Sequence, residues 1–209
     1  MFMIVSVILG ILAGYLRGGR LRNFARLRLY STWIPLVMFA LQLSLVSFPV
    51  SQNEVLDWLR PWITTATYAV LVVFLLANHR LSGFRLILLG SILNIAIILA
   101  NGGYMPVTHE ALQRSGHLDR MVVRGDQVYV TGSKDIVLGR EETRLYPLSD
   151  VMGIPEALPL SSTFSAGDVV IMFGAFWFVY RTMVQIPTRR HLTPPFLLIR
   201  AVTGMHEAE

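Results

Sequence analysis

The most distinctive polar residues of the sequence lie at the end of an apolar segment, where two asparagines precede a Gly-Gly pair. Asn94 and Asn101 are seven residues apart, so two helical turns place their side chains on one face. Gly102 and Gly103 permit a left-handed backbone, and a helix that ends there leaves carbonyl groups open to a cation or a ligand. Two hypotheses follow: a ligand-binding site, or a helix C-cap in which Asn94 bonds a neighbouring helix.

A second candidate is Asp168, which follows Ser165 by three residues at the start of another apolar segment. Ser at the N-cap and an acid at N3 are typical of a capping box, with Asp here in place of the usual Glu, and an acid there also suits the helix dipole. Capping explains both residues. The alternative hypothesis is that Asp168 faces a cavity and binds a cation or a proton, because ionisable groups that enter a membrane are often functional.

A third group is charged. Glu141, Glu142 and Arg144 stand together, with His109 and His117 upstream. Carboxylates and imidazoles can form a hydrolytic or a metal site, but these histidines match no ligand spacing, and neither His-Glu-x-x-His nor Gly-x-Ser-x-Gly occurs. The chain also has no Cys and no phosphate-binding Gly-rich loop. We expect a solvated charged loop, with no catalytic residue, no metal and no cofactor.

The composition indicates which elements position these residues. The 209 residues are 54% hydrophobic and only 15% charged, with a mean hydropathy of +0.55, which is too apolar for a soluble domain. A membrane-spanning helix needs roughly 17 to 25 mostly apolar residues. The predicted fold is an all-α integral membrane bundle of about five transmembrane helices in a single domain, residues 1–209. The predicted spans are residues 1–16, 32–50, 61–77, 83–100 and 168–183.

Arginine placement predicts the orientation, because short cytoplasmic loops retain basic residues. The second connection has only Arg60, beside Glu54 and Asp57. We therefore expect the N-terminus outside and the tail of residues 184–209 in the cytoplasm. The sequence has a high pI, and we interpret its basic residues as signals of membrane orientation, not of nucleic-acid binding. The first and third connections and the tail carry Arg17, Arg20, Arg22, Arg26, Arg28, Arg80, Arg85, Arg181, Arg189, Arg190 and Arg200.

Residues 101–167 then form a long extracytoplasmic loop. Two β-rich runs, residues 121–123 and 127–130, flank Gly125 and predict a small hairpin. Thr108 is an N-cap candidate for a short helix before it.

Four short motifs occur in a fixed order: residues 16–20 (LRGGR), the NGG-x-MPV run at 101–107, residues 141–145 (EETRL), and the Ser165, Gly167 and Asp168 group. In this combination the chain resembles an uncharacterised family of bacterial multi-pass membrane proteins, domain of unknown function 5317. The resemblance implies a multi-pass protein of the bacterial inner membrane. It implies no established activity, substrate or cofactor.

Our leading expectation is a non-enzymatic accessory or scaffold subunit that packs against larger membrane proteins. Gly10, Gly14, Gly90 and Gly174 permit close helix contacts, and the first two have small-xxx-small spacing. The expected partners are the lipid bilayer and other membrane proteins, with no nucleic acid.

Two alternatives remain open. The first is small-molecule or ion binding or transport, at a shallow site where the outer ends of the fourth and fifth spans would bring Asn101, Arg144 and Asp168 together. The second is an extracytoplasmic enzyme that uses Glu141 and Glu142.

Overall fold

A computed structural model describes residues 2–47, 54–158 and 161–184, and the predicted tail of residues 184–209 lies outside them except for Val184. The chain is mostly helical with some strands. The helices are α1 (Phe2–Leu16), α2 (Trp33–Ser47), α3 (Glu54–Ala77), α4 (Phe84–Ala100), α5 (His109–Arg114) and α6 (Ala166–Val184). The strands are β1 (Met105–Val107), β2 (Met121–Arg124), β3 (Gln127–Val130), β4 (Asp135–Val137), β5 (Met152–Gly153) and β6 (Thr163–Phe164).

Each predicted span contains a helix, but the helices differ in length. Two are long and apolar enough to cross a bilayer by length and composition, Trp58–Ala77 and Ala166–Val184. Three apolar helices are shorter, Met3–Leu16, Trp33–Ser44 and Phe84–Ala100. The predicted all-α description is incomplete, since residues 101–165, here called the loop domain, hold four strands besides the predicted hairpin.

Local sequence signals explain where the elements begin and end. Gly102, with φ of +70°, follows the α4 C-cap, and the amide of Gly103 donates to the carbonyl of Ile98 at 2.8 Å, which is a Schellman-type ending. Thr108 caps α5 by accepting from the amide of Ala111 at 3.2 Å. The predicted hairpin is confirmed as β2 and β3, joined by a two-residue turn with Gly125 at φ of +58°.

Glycines bring α4 and α6 into close contact. A Cβ on Gly83 would overlap the carbonyl of Gly174, and one on Gly90 would overlap the carbonyl of Gly167. The two helices are antiparallel, because Gly83 at the start of α4 meets Gly174 in the middle of α6, whereas Gly90, farther along α4, meets Gly167 at the start of α6. The small residues allow the backbones to approach to a distance that no larger side chain would permit.

Glycines also join α1 to α6. A Cβ on Gly10 would lie 2.9 Å from the Cβ of Val179, and one on Gly14 would lie 2.9 Å from the Cβ of Met183. The residue numbers rise together along both helices, from Gly10 beside Val179 to Gly14 beside Met183, so α1 and α6 are parallel. The close contacts of Gly10, Gly14, Gly90 and Gly174 are therefore formed within this chain.

The loop domain rests on the end of the bundle formed by the C-terminus of α4 and the N-terminus of α6. Its main sheet has the order β1-β4-β3-β2, with β1 parallel to β4 and the other pairs antiparallel. Met105 of β1 packs with Ile97 and Ile98 of α4, and Tyr68 of α3 covers this cluster. Val107 packs instead with α5 and β3. β1 is therefore the strand that links the bundle to the loop domain.

Candidate functional site

Asp168 at the start of α6 forms the predicted capping box. Its carboxylate accepts hydrogen bonds from the amide of Ser165 at 3.0 Å and from the Ser165 hydroxyl at 2.9 Å, while the Asp168 amide donates to that hydroxyl oxygen at 3.1 Å. The second carboxylate oxygen accepts from Nδ2 of Asn94 at 2.8 Å. Asn94, Ser165 and Asp168, here called the Asp168 group, thus join α4 to α6.

The Ser165 hydroxyl lies within reach of two acceptors. Its oxygen is 2.9 Å from the Asp168 carboxylate and 3.1 Å from Oδ1 of Asn94. One hydroxyl proton can serve only one of them at a time. Gly167 makes the arrangement possible, because a Cβ at that position would overlap Oδ1 of Asn94.

Asn101 has a different partner. Its Nδ2 donates to the carbonyls of Ile97 at 2.8 Å and Arg144 at 3.0 Å, and its Oδ1 accepts from the amide of Arg144 at 3.0 Å. The asparagine side chain therefore fastens the charged segment of the loop domain to the end of α4. Asn94 and Asn101 are separated by about 10 Å along the helix, at 1.5 Å per residue.

A shallow, open pocket of about 290 Å³ lies beside Asn101. Four residues from the sequence-based hypothesis line it: Asn101, Gly102, Glu142 and Arg144. Glu142 accepts a hydrogen bond from the amide of Gly139 at 3.2 Å, which holds its carboxylate within its own turn.

The remaining predicted residues lie elsewhere. Glu141 is exposed, Gly103 lies against Pro61 of α3, and Asn94 and Asp168 belong to the Asp168 group. The structure thus divides six of the eight predicted site residues between two places along α4, the pocket and the Asp168 group, and leaves Glu141 and Gly103 outside both. Within the described residues, no group of three or more His, Asp or Glu side chains could hold a metal ion.

Sequence reasoning missed a group of charged residues beside β1: the buried Asp135 and Asp150 and the half-buried Lys134, here called the buried charge cluster. Asp135 begins β4 opposite Met105, and the amide of Asp150 donates to the carbonyl of Pro106 at 3.0 Å from the other edge of β1. Nζ of Lys134 lies 3.5 Å from Oδ1 of Asp135. Asp135 and Asp150 each directly precede a short apolar run and Lys134 precedes Asp135, so in the sequence they are indistinguishable from ordinary turn residues.

The carboxylates of the buried charge cluster are poorly compensated. Asp135 is 8% exposed and Asp150 is 5% exposed. Oδ1 of each has no hydrogen-bond partner among the described residues, although that of Asp135 faces Lys134. A buried carboxylate without a partner favours its protonated form or a bound cation.

Electrostatics connect this cluster to the helices. Burial and then the charge of Asp135 raise the pKa of Asp150 well above its usual value, against the opposing effect of Lys134 and with a further contribution from Asp168. Burial alone lowers the pKa of Lys134, but Tyr68, Asp135, Asp150 and Asp168 together outweigh it, so this pKa lies well above its usual value. The buried charge cluster and the Asp168 group therefore influence one another electrostatically.

A family model described as "Family of unknown function (DUF5317)" matches residues 26–180, most of the chain. The match begins after the LRGGR motif of residues 16–20 and includes the Asp168 group, the pocket and the buried charge cluster. No curated protein and no solved structure matches the chain. The chain belongs to the DUF5317 family.

Proposed function

We propose that this DUF5317 member is a five-span membrane protein that binds a small cation, a proton first of all, at the buried charge cluster. The observation that carries the proposal is Asp150, a carboxylate 5% exposed whose Oδ1 lacks a hydrogen-bond partner among the described residues. The proposed site lies at the junction of α3, α4, α6 and the loop domain, where a bound proton can alter the contact between helices and loop.

The membrane part of the proposal is supported by the helix surfaces. The windows of the two longest apolar helices are only 28% and 33% buried, whereas the core helix of a soluble protein is mostly buried. Large apolar side chains face outward on several helices, including Leu36 and Phe39 on α2, Val73 on α3 and Phe173 on α6. So large an apolar surface requires a covering, and lipid is the simplest one. The 15 residues of α1 give a length of about 22 Å, so we propose local bilayer thinning around it.

The proposed orientation has the loop domain outside the cell. α1 and α6 are parallel and α4 is antiparallel to both, as five alternating spans require. The connections opposite the loop domain contain Arg and no Asp or Glu, in agreement with a cytoplasmic side.

The absence of Cys allows a direct test of this topology. Single-cysteine variants Arg22→Cys and Arg140→Cys place a thiol at opposite ends of the molecule, and both parent residues are exposed. In intact cells an impermeant maleimide should label only the Arg140→Cys variant, and after lysis it should label both. Labelling of Arg22→Cys in intact cells would contradict the orientation, and extraction of the protein without detergent would contradict the membrane assignment.

Cation binding is tested by infrared spectroscopy, which detects the carbonyl stretch of a protonated carboxyl. We expect a carboxyl that stays protonated above the usual range of Asp, and its loss in Asp150→Asn. The matched control Glu141→Gln, at an exposed carboxylate, should retain the band. If Na⁺ but not choline shifts the titration of this band to lower pH, the site also accepts a small metal cation. Identical spectra for wild type and Asp150→Asn at every pH, with no effect of Na⁺, would refute the site.

The second candidate function is a scaffold subunit that packs against larger membrane proteins. The exposed apolar faces of the helices favour it, because such faces can contact another membrane protein. The small glycines that suggested contact with partner proteins do not support it, because these glycines contact helices of the same chain. Purification from native membranes distinguishes the two: a stoichiometric co-purifying protein supports the scaffold role, whereas a chain that purifies alone and titrates at Asp150 supports cation binding.

A further inference from the structure

The end of the molecule opposite the loop domain carries a concentrated positive charge. Five exposed arginines occur within 12 residues between α1 and α2 and are here called the arginine surface: Arg17, Arg20, Arg22, Arg26 and Arg28. The first Asp or Glu of the chain is Glu54, so no acid in this connection offsets them.

The connection is folded onto the bundle. A 3-10 helix, Leu21–Arg26, forms its centre. The buried Asn23 donates from Nδ2 to the carbonyl of Met183 at 2.7 Å, and the Arg20 amide donates to the same carbonyl at 3.0 Å. Phe24 packs edge-to-face on Phe178 with ring centroids 6.1 Å apart. The backbone that carries the arginines is thus fixed to the end of α6.

Exposed apolar residues lie beside the arginines. Leu16 is 88% exposed, Tyr15 is 52% exposed and Leu21 is 45% exposed. Apolar and cationic side chains in one exposed connection suit a boundary where acyl chains meet charged headgroups. A water-exposed surface gives no reason for the apolar residues, and a purely apolar environment gives none for the arginines.

We infer that the arginine surface binds anionic phospholipid headgroups of the cytoplasmic leaflet. This inference rests on the proposed membrane orientation but not on cation binding at Asp150. Guanidinium groups bind phosphate in a bidentate geometry, and basic residues next to a membrane gain affinity from anionic lipid. The fixed backbone reduces the ordering cost of that contact.

The test uses the full-length chain in a neutral detergent, titrated with phosphatidylglycerol or phosphatidylcholine while thermal unfolding and lipid adducts in native mass spectrometry are recorded. Phosphatidylglycerol should raise the unfolding temperature and form adducts, phosphatidylcholine should do so much less, and high salt should weaken the effect. In Arg22→Gln/Arg26→Gln the apparent affinity should fall roughly fivefold for each arginine removed.

A matched variant, Arg114→Gln/Arg120→Gln, removes two exposed arginines from the loop domain and should bind phosphatidylglycerol as wild type does. Equal responses to both lipids, or equal losses in both double variants, would overturn the inference. Inorganic phosphate that reproduces the full effect would identify a soluble anion instead of a lipid, and a nucleic acid or protein bound at the same arginines would likewise overturn it. Failure here leaves the infrared titration of Asp150 unchanged, so the two proposals fail separately.

Discussion

Asp135 and Asp150 lie on opposite edges of β1. Asp135 faces Met105 through the pairing of β1 with β4, and the Asp150 amide donates to the carbonyl of Pro106 at 3.0 Å. The negative charge of Asp135 raises the pKa of Asp150, and the positive charge of Lys134 opposes this effect. Both acids in turn raise the pKa of Lys134. A strand of three residues thereby holds two buried acids and one base where the loop domain meets the helices.

The stability of the protein should depend on pH through Asp150. Its pKa is raised in the folded state above the usual 3.8, so the folded state holds the proton more tightly than the unfolded chain does. Stability should therefore fall as pH rises from that usual value through the raised pKa. Asp150→Asn, which stays neutral, should match wild type in acid and exceed it above the raised pKa. Thermal unfolding across pH measures this, and Asp126→Asn at the hairpin turn should follow the wild-type profile.

Lys134 should matter as the base that compensates the two acids. Lys134→Gln should destabilise the protein by about 1–2 kcal/mol, because it removes the counter-charge 3.5 Å from the buried Asp135, while Lys134 itself is partly exposed to solvent. Asp135→Asn in the same chain should restore part of the loss, which a double-mutant cycle in denaturant unfolding would quantify. The raised pKa of Lys134 means that its contribution is complete below 10.5 and is lost as pH rises through the folded-state pKa. Purely additive effects of the two substitutions would show that they do not interact.

Gly167 should not accept a side chain. Gly167→Ala would force a methyl group against Oδ1 of Asn94 and to 2.9 Å from the carbonyl of Gly90, so α4 and α6 must separate. We expect a loss of about 1–3 kcal/mol, read from thermal unfolding. Gly139→Ala is the control, since its new Cβ would lie 3.5 Å from the Glu142 carboxylate, an ordinary contact. Comparable stability of the two variants would rule out close α4–α6 packing at Gly167.

Asn101 should hold the charged segment of the loop domain in place. Asn101→Ala removes two hydrogen bonds to the backbone of Arg144, at 3.0 Å each. Hydrogen exchange at the Arg144 amide should accelerate, with a local cost of about 1–3 kcal/mol. The amides of β2 and β3 should keep their protection, and Gln113→Ala, at an exposed position of α5, should change neither region.

Much of the fold was predictable because its signals are local. The cap after Asn101, the Ser165–Asp168 box, the Thr108 cap and the hairpin at Gly125 each depend on a few consecutive residues, and all four are confirmed. The predicted span of residues 61–77 lies within α3, which begins earlier, at Glu54, although Pro61 and the polar residues before it resemble a break. Pro61 lies inside this helix, in its third turn, where its missing amide removes one backbone hydrogen bond without ending the helix.

The candidate site was only partly predictable. The polar ends of α4 and α6 are visible in the sequence, since they interrupt apolar runs, and so is the separation of arginines from acids along the chain. The sequence does not show which polar groups come into contact, because these contacts join residues far apart in the chain. Examples are the parallel pairing of β1 with β4, the approach of Asp150 to the other edge of β1, and the contact of Gly90 with Gly167. The sequence by itself determined the caps, the turn and the charge distribution, because these depend on neighbours along the chain. Only the tertiary structure decided that Asp135 and Asp150 are buried together beside the half-buried Lys134, because burial depends on the packing of the loop domain against the helices.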